Sequence, residues 1–371
     1  MITCIKKKIL LFILLLTPIF VNASVTNLSE EYQTQTYKAE VTDVISEVTY
    51  PKSVEQTLKV EVLSGKYAGE KVEIKNTYTD TGYSFYLEDG DNISVIVEDD
   101  GDEVNFYFHS IDKSGTLMLL VLVFSICVII LGGMKGFKAL VSLIITVALI
   151  LLILVPLLLK GYNPIILSIL VCVFSTILTF VITNGFSKKT LIAILGVSCG
   201  LIIAGSFAYL FGVLAKISGF SSGDAQMLQY LPNGIKFDYK GLLFAGIIIG
   251  ALGACMDVAM EITSSLVEIK KHKPDVSDKE LIISGFNIGK DIMGTMVNTL
   301  ILAYTGGSLS SILIFVGFEK SLYQIVNLES IATEIIRAVS GSIGLLFAIP
   351  STVYIFILLN RKWGKKIEKI K

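Results

Sequence analysis

The sequence predicts a polytopic α-helical membrane protein with about seven transmembrane helices, a short re-entrant or interfacial segment and a small N-terminal β-barrel domain outside the cytoplasm. Of its 371 residues, 53% are hydrophobic and 17% are charged, a balance that a water-soluble domain of this size does not need. Charge is also divided along the chain. Residues 24–112 hold 6 Lys and no Arg against 19 acidic residues, whereas residues 113–371 hold 22 basic and 13 acidic residues. These boundaries separate an acidic exported β domain from a transmembrane helical domain.

Residues 1–23 are predicted to be an export signal. A basic run ending at Lys8 precedes an apolar run from Ile9 to Phe20, and small residues lead to Ala23, which is the order found in a cleaved signal peptide. An uncleaved anchor is the alternative, although the apolar run is short for a membrane span. In both interpretations the β domain at residues 24–112 lies outside the cytoplasm.

Residues 36–109 alternate between apolar and polar side chains, the period of β-strands. About five such runs are separated by turn clusters such as Ser64-Gly65, and none contains a cysteine, so disulfides cannot hold this domain. The expected form is a small β-barrel, OB-like in type, whose acidic surface would suit a protein partner.

The acidic cluster at residues 98–103 could bind a divalent cation weakly, because adjacent carboxylates supply hard oxygen ligands. A solvated hairpin turn is the favoured interpretation, since the ligand spacing of a calcium loop is missing. With only two histidines in the chain, we expect no zinc centre.

After Lys113 the chain becomes a series of apolar runs near the ~20 residues that a helix needs to cross the hydrocarbon core. The predicted spans are 115–134, 137–159, 163–184, 190–213, 241–267, 283–305 and 333–359. Lysines cluster in the first, third and fifth turns and at the C-terminus, so the positive-inside rule places these segments in the cytoplasm of a bacterial cell.

The run from Gly306 to Phe318 is apolar but short, and counting it as a span would put the basic C-terminus outside. We therefore expect a re-entrant or interfacial segment. Non-helical backbone at membrane depth needs protein or water around it, so Gly306, Gly307 and Ser308 would line a cavity. An eighth span that breaks the positive-inside rule is the alternative.

The candidate substrate or ion pathway lies on the fifth and sixth predicted spans. Intervals of three or four residues place small residues and carboxylates of the fifth span on one helical face: Gly246, Gly250, Ala254, Asp257 and Glu261. The sixth span has a similar face: Asn287, Asp291, Gly294, Asn298 and Thr305. An ionisable group at membrane depth costs about 2.5 to 3.5 kcal/mol, so a function is the default interpretation.

Within this pathway, Asp257 and Asp291 are expected to carry a proton or coordinate a cation. The other polar residues would support them: Asn287 and Asn298 as neutral oxygen ligands, Lys290 as a balancing charge and Glu261 nearer the interface. The structural alternative is that Asp257 or Glu261 pairs with Lys290 to fix the helix register.

Arg337 is one of two arginines in the chain and opens the last span three residues after Glu334. It would bind an anionic substrate group from outside, or else form an interfacial salt bridge or contact a lipid headgroup. Small residues on the pathway helices and the last span would let backbones approach closely. The predicted packing positions are Gly246, Gly250, Gly253, Gly294, Gly341 and Gly344.

Two segments resemble motifs of the YibE/F-like family of multi-pass bacterial membrane proteins. They are Gly253-Ala254-Cys255-Met256-Asp257-Val258-Ala259-Met260 and Gly289-Lys290-Asp291-Ile292-Met293-Gly294-Thr295-Met296-Val297-Asn298-Thr299-Leu300. The similarity extends from about Tyr37 to the last span and includes Glu329, Glu334 and Arg337. The resemblance implies a membrane location and an exported N-terminal domain, and it carries no settled biochemical activity.

Two positions depart from the family pattern. Lys290 stands where the resemblance leads us to expect arginine, which weakens any role that needs a bidentate fork. Glu261 stands where a small residue is expected, which indicates local variation.

The motifs of soluble enzymes are missing: we find no phosphate loop, nucleophile elbow or nucleotide fingerprint. We therefore expect neither an enzyme nor a cofactor, and no nucleic-acid partner. One remaining class is a secondary permease for a small solute or ion, driven by protons or cations at Asp257 and Asp291. The other is a non-transporting envelope component, anchored in the lipid bilayer, that recruits a protein through its β domain. The oligomeric state is left open.

Overall fold

The computed structural model describes residues 35–79, 84–99, 104–231 and 237–368. The predicted signal peptide lies outside the described residues. The chain divides into two compact units between Leu131 and Gly132. The first contains a β-sheet, and the second is a helical bundle.

The sheet is antiparallel, with five strands in the order β3-β2-β1-β4-β5. The strands are β1 Gln35–Tyr50, β2 Ser53–Val62, β3 Lys71–Thr79, β4 Asn92–Asp99 and β5 Val104–Ile111. The long β1 pairs with β2 along most of its length and with β4 through its first residues. The predicted alternation is confirmed in the first part of β1 and in the second half of β2, where every second residue is buried: Tyr37, Ala39, Val41, Leu58, Val60 and Val62.

The prediction of a closed barrel is wrong. β3 and β5 end the strand order, and no hydrogen-bonded ladder joins them within the described residues. Period-two alternation identifies the buried face of a strand, but closure depends on pairing between the edge strands, on which alternation carries no information. Side chains from the connections add to the core instead, including Tyr67 and Leu87. The OB-like character stays a prediction.

A buried polar pair, Gln56 and Asn76, lies inside the sheet unit at 0% and 4% exposure. The Asn76 amide donates to Gln56 Oε1 at 3.0 Å and to the Phe85 carbonyl at 2.8 Å. The Gln56 side chain also bonds both backbone groups of Leu87, donating at 3.0 Å and accepting at 3.1 Å. This pair therefore fixes the segment before β4 to β2 and β3.

Replacing Gln56 with Leu is expected to lower the free energy of unfolding of the sheet unit by about 3 kcal/mol. Each buried polar group left without a hydrogen-bond partner costs about 1 to 3 kcal/mol. The change removes a partner from the Asn76 amide and from the backbone N–H and carbonyl groups of Leu87. Faster amide hydrogen exchange in β2 and β3 of the intact protein would measure this loss. Lys59→Leu, at an exposed position of β2, is the control, and equal exchange in both variants would contradict the account.

Asp112 joins β5 to the first helix. Its Oδ1 accepts a hydrogen bond from the Ser114 backbone N–H at 2.8 Å, and its Oδ2 lies 3.1 Å from Lys38 Nζ. The hydrogen bonds with Ser114, supported by Lys38, hold the pKa of the Asp112 carboxyl below its usual range. The charged form of Asp112 therefore stabilises this junction.

Acid should weaken the Asp112 junction. Because the folded-state pKa is depressed, the stabilisation is fully present above the unfolded value of about 3.9 and is lost as pH falls through the lower folded value. The protection factors of the amides at residues 104–111, which are corrected for the slower intrinsic exchange in acid, should fall in the wild type from pH 6 down to about pH 2. The Asp112→Asn variant should show a smaller acid dependence, and identical profiles would contradict this assignment.

The second unit is built from helices, and its first helix begins before the unit boundary. The helices are α1 Ser114–Leu149, α2 Val155–Leu159, α3 Pro164–Asn184, α4 Lys188–Leu214, α5 Gly223–Met227, α6 Tyr239–His272, α7 Asp278–Gly307, α8 Leu309–Gly317, α9 Leu322–Val326 and α10 Glu329–Glu368. A π-helical turn, Ile150–Leu154, connects α1 to α2. Side-chain caps start four of the long helices by accepting backbone N–H groups: Asn163, Ser187, Asp238 and Ser277.

The core of the bundle lies between α4, α6 and α10, with α3 and α7 packed around them. Small residues bring α4 and α10 together: a Cβ atom added to Gly344 would lie 2.5 Å from Ala204 Cβ and 2.8 Å from the Gly200 carbonyl oxygen. The centre is filled by fully buried aliphatic side chains: Leu201, Ile248, Val258, Ile262 and Leu345.

Five segments are long and apolar enough to cross a membrane, and α7 with α8, which bend by 59°, would form a sixth. This confirms a multi-pass helical membrane protein. The first two predicted spans fall within one apolar segment of 46 residues, Ser114–Leu159. Gly133 breaks that segment with non-helical φ 54° and ψ −132°. The count of seven spans stays a prediction.

Candidate functional site

A polar stripe occupies the outward faces of α6 and α7. It consists of Gly246, Gly250, Gly253, Asp257 and Glu261 on α6, and Asn287, Lys290, Asp291, Gly294 and Asn298 on α7, all exposed. The periodicity of the sequence predicted a shared face for four of the α6 residues, Gly246, Gly250, Asp257 and Glu261, and for four of the α7 residues, Asn287, Asp291, Gly294 and Asn298. It did not place Gly253 or Lys290 on these faces. It could not indicate what the face would contact. The opposite faces of both helices pack into the core, so the polar stripe points away from it.

The depth of the polar stripe in the membrane can be estimated by comparing its residues with the neighbouring residues of α10. No charged residue occurs in α10 between Arg337 and Arg361, a length of about 35 Å for a helix, close to the hydrocarbon thickness of a bilayer. Phe347 lies near the middle of this uncharged stretch. A residue level with Phe347 is therefore near mid-membrane.

Helix α7 runs antiparallel to α10 and packs against it through two glycines. A Cβ atom added to Gly285 would lie 2.7 Å from a Val353 methyl group, and one added to Gly289 would overlap Ile349. Asp291 follows two residues after Gly289 and is thus close to the level of Phe347. Asp291 is therefore level with the middle of the uncharged stretch of α10.

Helix α6 runs parallel to α10. A Cβ atom added to Gly341 would lie 3.8 Å from Ala251 Cβ, and Ile336 packs on the residues one to two turns earlier in α6. Asp257 follows Ala251 by six residues, as Phe347 follows Gly341. Asp257 and Asp291 therefore share one depth although they lie on antiparallel helices.

The four charged residues of the polar stripe form no ion pair with one another or with any other side chain in the described chain. The predicted structural pairing of Lys290 with Asp257 or Glu261 is not formed within the chain. A charge at this depth needs a partner, a proton or water. The polar stripe is thus chemically unsatisfied in a single chain.

The predicted packing glycines fall into two groups. Gly344 and Gly341 contact α4 and α6, and Gly250 lies directly against the Tyr304 hydroxyl group of α7. Around the other three, no atom would lie within 4 Å of an added Cβ in the described structure: Gly246, Gly253 and Gly294. These three glycines leave space on the polar stripe that no atom of the described structure fills.

A cavity of about 620 Å³ lies in the helical unit, at the end of α10 where Arg337 is found. Its wall combines the start of α10, the α7–α8 bend and the segment before α6. Arg337 Nη2 lies 3.5 Å from Glu334 Oε1, and the buried Arg337 Nε has no hydrogen-bond partner in the described chain. The other polar lining residues include one carboxylate, that of Asp224, and five serines: Ser221, Ser222, Ser308, Ser311 and Ser330. A solute with a carboxylate and a cationic group would find complementary partners here.

One wall of the cavity is fixed by Glu329, at the start of α10. Its Oε1 accepts hydrogen bonds from the Ser218 and Gly219 backbone N–H groups at 2.8 and 3.0 Å and from the Ser218 hydroxyl at 2.5 Å. Gly219 has φ +88°, and a Cβ atom there would lie 2.6 Å from the Tyr239 carbonyl. Sequence reasoning from the residues missed this contact, since it joins positions more than a hundred residues apart.

The short apolar run after Gly306 forms α8 beyond the bend in α7. Gly307 and Ser308, at the bend, both line the cavity, and Gly306 does not. Two of the three residues that were predicted to line a cavity therefore do so.

The acidic cluster at residues 98–103 is described only through Asp99. The Asp99 carboxylate accepts the Tyr67 hydroxyl at 2.6 Å and forms an ion pair with Lys66 at 3.1 Å. Among the described residues, no group of three or more His, Cys, Asp and Glu side chains could hold a metal ion. The Asp99 carboxylate is thus occupied by contacts within the sheet unit.

Comparisons with known families agree with the motifs on α6 and α7. Residues 120–362 match the family described as YibE/F-like protein, and residues 17–111 match the YibE/F family N-terminal domain. No curated protein and no solved structure matches the chain. The first match alone covers more than half of the chain and contains both motif segments, so the resemblance is confirmed: the chain belongs to the YibE/F-like protein family.

Proposed function

We propose that the protein is a permease of the bacterial cell membrane that moves a small zwitterionic or charged solute, coupled to protons or cations at Asp257 and Asp291. The observation that carries this proposal is the shared depth of two carboxylates, both near mid-membrane and both without an ion-pair partner in the described chain. Structural carboxylates are normally paired at such depth, whereas coupling sites in transporters use them to bind protons and ions.

The cavity supports the choice of solute. A volume of about 620 Å³ falls in the range of small-molecule sites. Arg337 offers donors for a carboxylate, and Glu334 offers an acceptor for an ammonium group, so the pair could exchange its weak internal contact for a zwitterion. The hydroxyl groups around them would hydrogen-bond the solute without adding charge.

The proposed topology has seven spans. Gly133 would divide the first long apolar segment into two crossings. Helix α7 would end at the outer surface, and α8, which follows the bend, would lie there as an interfacial segment. The β domain then lies outside, after an N-terminal export signal, and the basic C-terminus lies in the cytoplasm. This arrangement puts the cavity at the outer surface, where a solute would enter.

The second candidate function is an envelope component that does not transport and recruits a protein through its β domain. The β1–β2 hairpin favours it, because Ile45, Val48 and Tyr50 are exposed by 45%, 49% and 49% on an acidic domain. Large exposed apolar residues are enriched at protein interfaces. Deleting the hairpin would damage this function and leave transport by the helices intact.

Transport can be tested with the purified protein in liposomes that contain a pH-sensitive dye. Under an inward proton gradient, neutral amino acids, monocarboxylates and amines are added one at a time. Parallel experiments use a sodium-sensitive dye in place of the pH-sensitive dye to detect sodium entry. A zwitterion is expected to drive ion entry faster than in protein-free liposomes. Rates equal to those of protein-free liposomes for every class would overturn the proposal.

A further inference from the structure

The charged groups of the polar stripe have no ion-pair partners within the described chain. These groups lie on the outside of the helical unit, while the faces of α6 and α7 toward the core are apolar. Lipid tails offer no hydrogen bonds or charges, so they are a poor partner for such a surface. A protein surface of matching shape and charge would supply the partners that these groups lack in one chain.

The shape of the polar stripe suits a closely approaching helix. An added Cβ would meet no atom within 4 Å at Gly246, Gly253 or Gly294 in the described structure. By contrast, Gly200, Gly285 and Gly289, on other faces, are already filled by neighbouring helices of the same chain. Small residues left open on a membrane-facing surface let backbones of separate chains come together.

The polar stripe has opposite charges at similar depths, so the stripe of one copy is complementary in charge to the stripe of another. Glu261 follows Asp257 by one helical turn toward the α6–α7 connection, and Lys290 lies one residue before Asp291 on α7. Since Asp257 and Asp291 are level, Glu261 and Lys290 differ in depth by only a few ångströms. They nevertheless form no ion pair within the described chain.

We propose that the polar stripe is covered by the same surface of a second copy of the chain, and that Glu261 of each copy pairs with Lys290 of the other. Two copies inserted in the same direction are related by an axis along the membrane normal, which brings residues of equal depth together. Asp257 and Asp291 then line the seam between the copies. The site is incomplete in one chain because each copy supplies the cation for the other. This inference concerns assembly and holds whether or not the protein transports a solute.

Cysteine cross-linking in native membranes tests the seam. In a background with Cys127 and Cys199 replaced by Ser, Gly253→Cys is expected to give a reducible dimer under mild oxidation. Leu170→Cys, at a position of α3 that is 61% exposed and apolar, is the matched control and should stay monomeric. Equal cross-linking of the two variants, or none at Gly253→Cys, would overturn the proposal.

Charge reversal tests the proposed pair. Glu261→Lys or Lys290→Glu alone should raise the dimer dissociation constant in mild detergent about tenfold, since the dimer contains the pair twice. The double reversal should restore the dimer, a rescue that loss of folding could not produce. A wild-type mass of one chain by light scattering, including one chain bound to a different protein, would refute the second copy as the occupant.

Discussion

Replacing Asp257 or Asp291 with Asn is expected to reduce solute-driven ion entry into liposomes at least about a hundredfold, the usual scale for losing a positioned proton carrier. Asparagine keeps the size and hydrogen bonding of aspartate but cannot exchange a proton or carry a charge. The variants should insert and fold normally, because removing an unpaired charge at mid-membrane removes a cost of about 2.5 to 3.5 kcal/mol.

The matched control is Asp275→Asn, an exposed carboxylate on the connection between α6 and α7. It should keep wild-type transport, which separates an effect of membrane depth from a general effect of charge. Full coupling in both the Asp257→Asn and the Asp291→Asn variants would refute the charge-coupled mechanism. Reduced membrane levels of these two variants would instead indicate a structural role for the carboxylates.

Gly344→Val should be the most destabilising change in the helical unit. A Cβ atom at this position would lie 2.5 Å from Ala204 Cβ and 2.8 Å from the Gly200 carbonyl oxygen. The second of these contacts is with backbone, which cannot move aside without separating α4 from α10. Overpacking of this kind costs about 1 to 3 kcal/mol and more where backbone must shift, so little folded protein should be recovered in detergent.

Gly306→Val provides the comparison for this change, because an added Cβ there meets no atom within 4 Å in the described structure. Its melting temperature in detergent should stay near that of the wild type. Similar melting temperatures for Gly344→Val and Gly306→Val would mean that the α4–α10 contact does not depend on close packing.

Periodicity in the sequence predicted which residues share a face. It located the buried strand positions of the sheet unit, such as Val41 and Val60, and the polar faces of α6 and α7. Both results follow from local geometry, since a period of 2 or 3.6 residues fixes the direction of each side chain relative to its neighbours.

Contacts between distant segments could not be predicted in this way. Closure of the sheet, the Gln56–Asn76 pair and the attachment of Ser218 to Glu329 all depend on residues brought together by the fold. The outward direction of the polar stripe was missed for the same reason. Amphipathic periodicity is identical whether a polar face lines an interior channel or the surface of one chain.

The most direct test of the central claim, that the polar stripe is a polar pathway at mid-membrane, is the reaction of single cysteines with a membrane-impermeant thiol reagent. Asp257→Cys and Asp291→Cys are compared with Leu170→Cys after Cys127 and Cys199 are replaced. A thiol in a watered pathway ionises, whereas one in lipid does not, so the first two should react at least about tenfold faster. Equal, slow reaction at all three positions would contradict a pathway along α6 and α7.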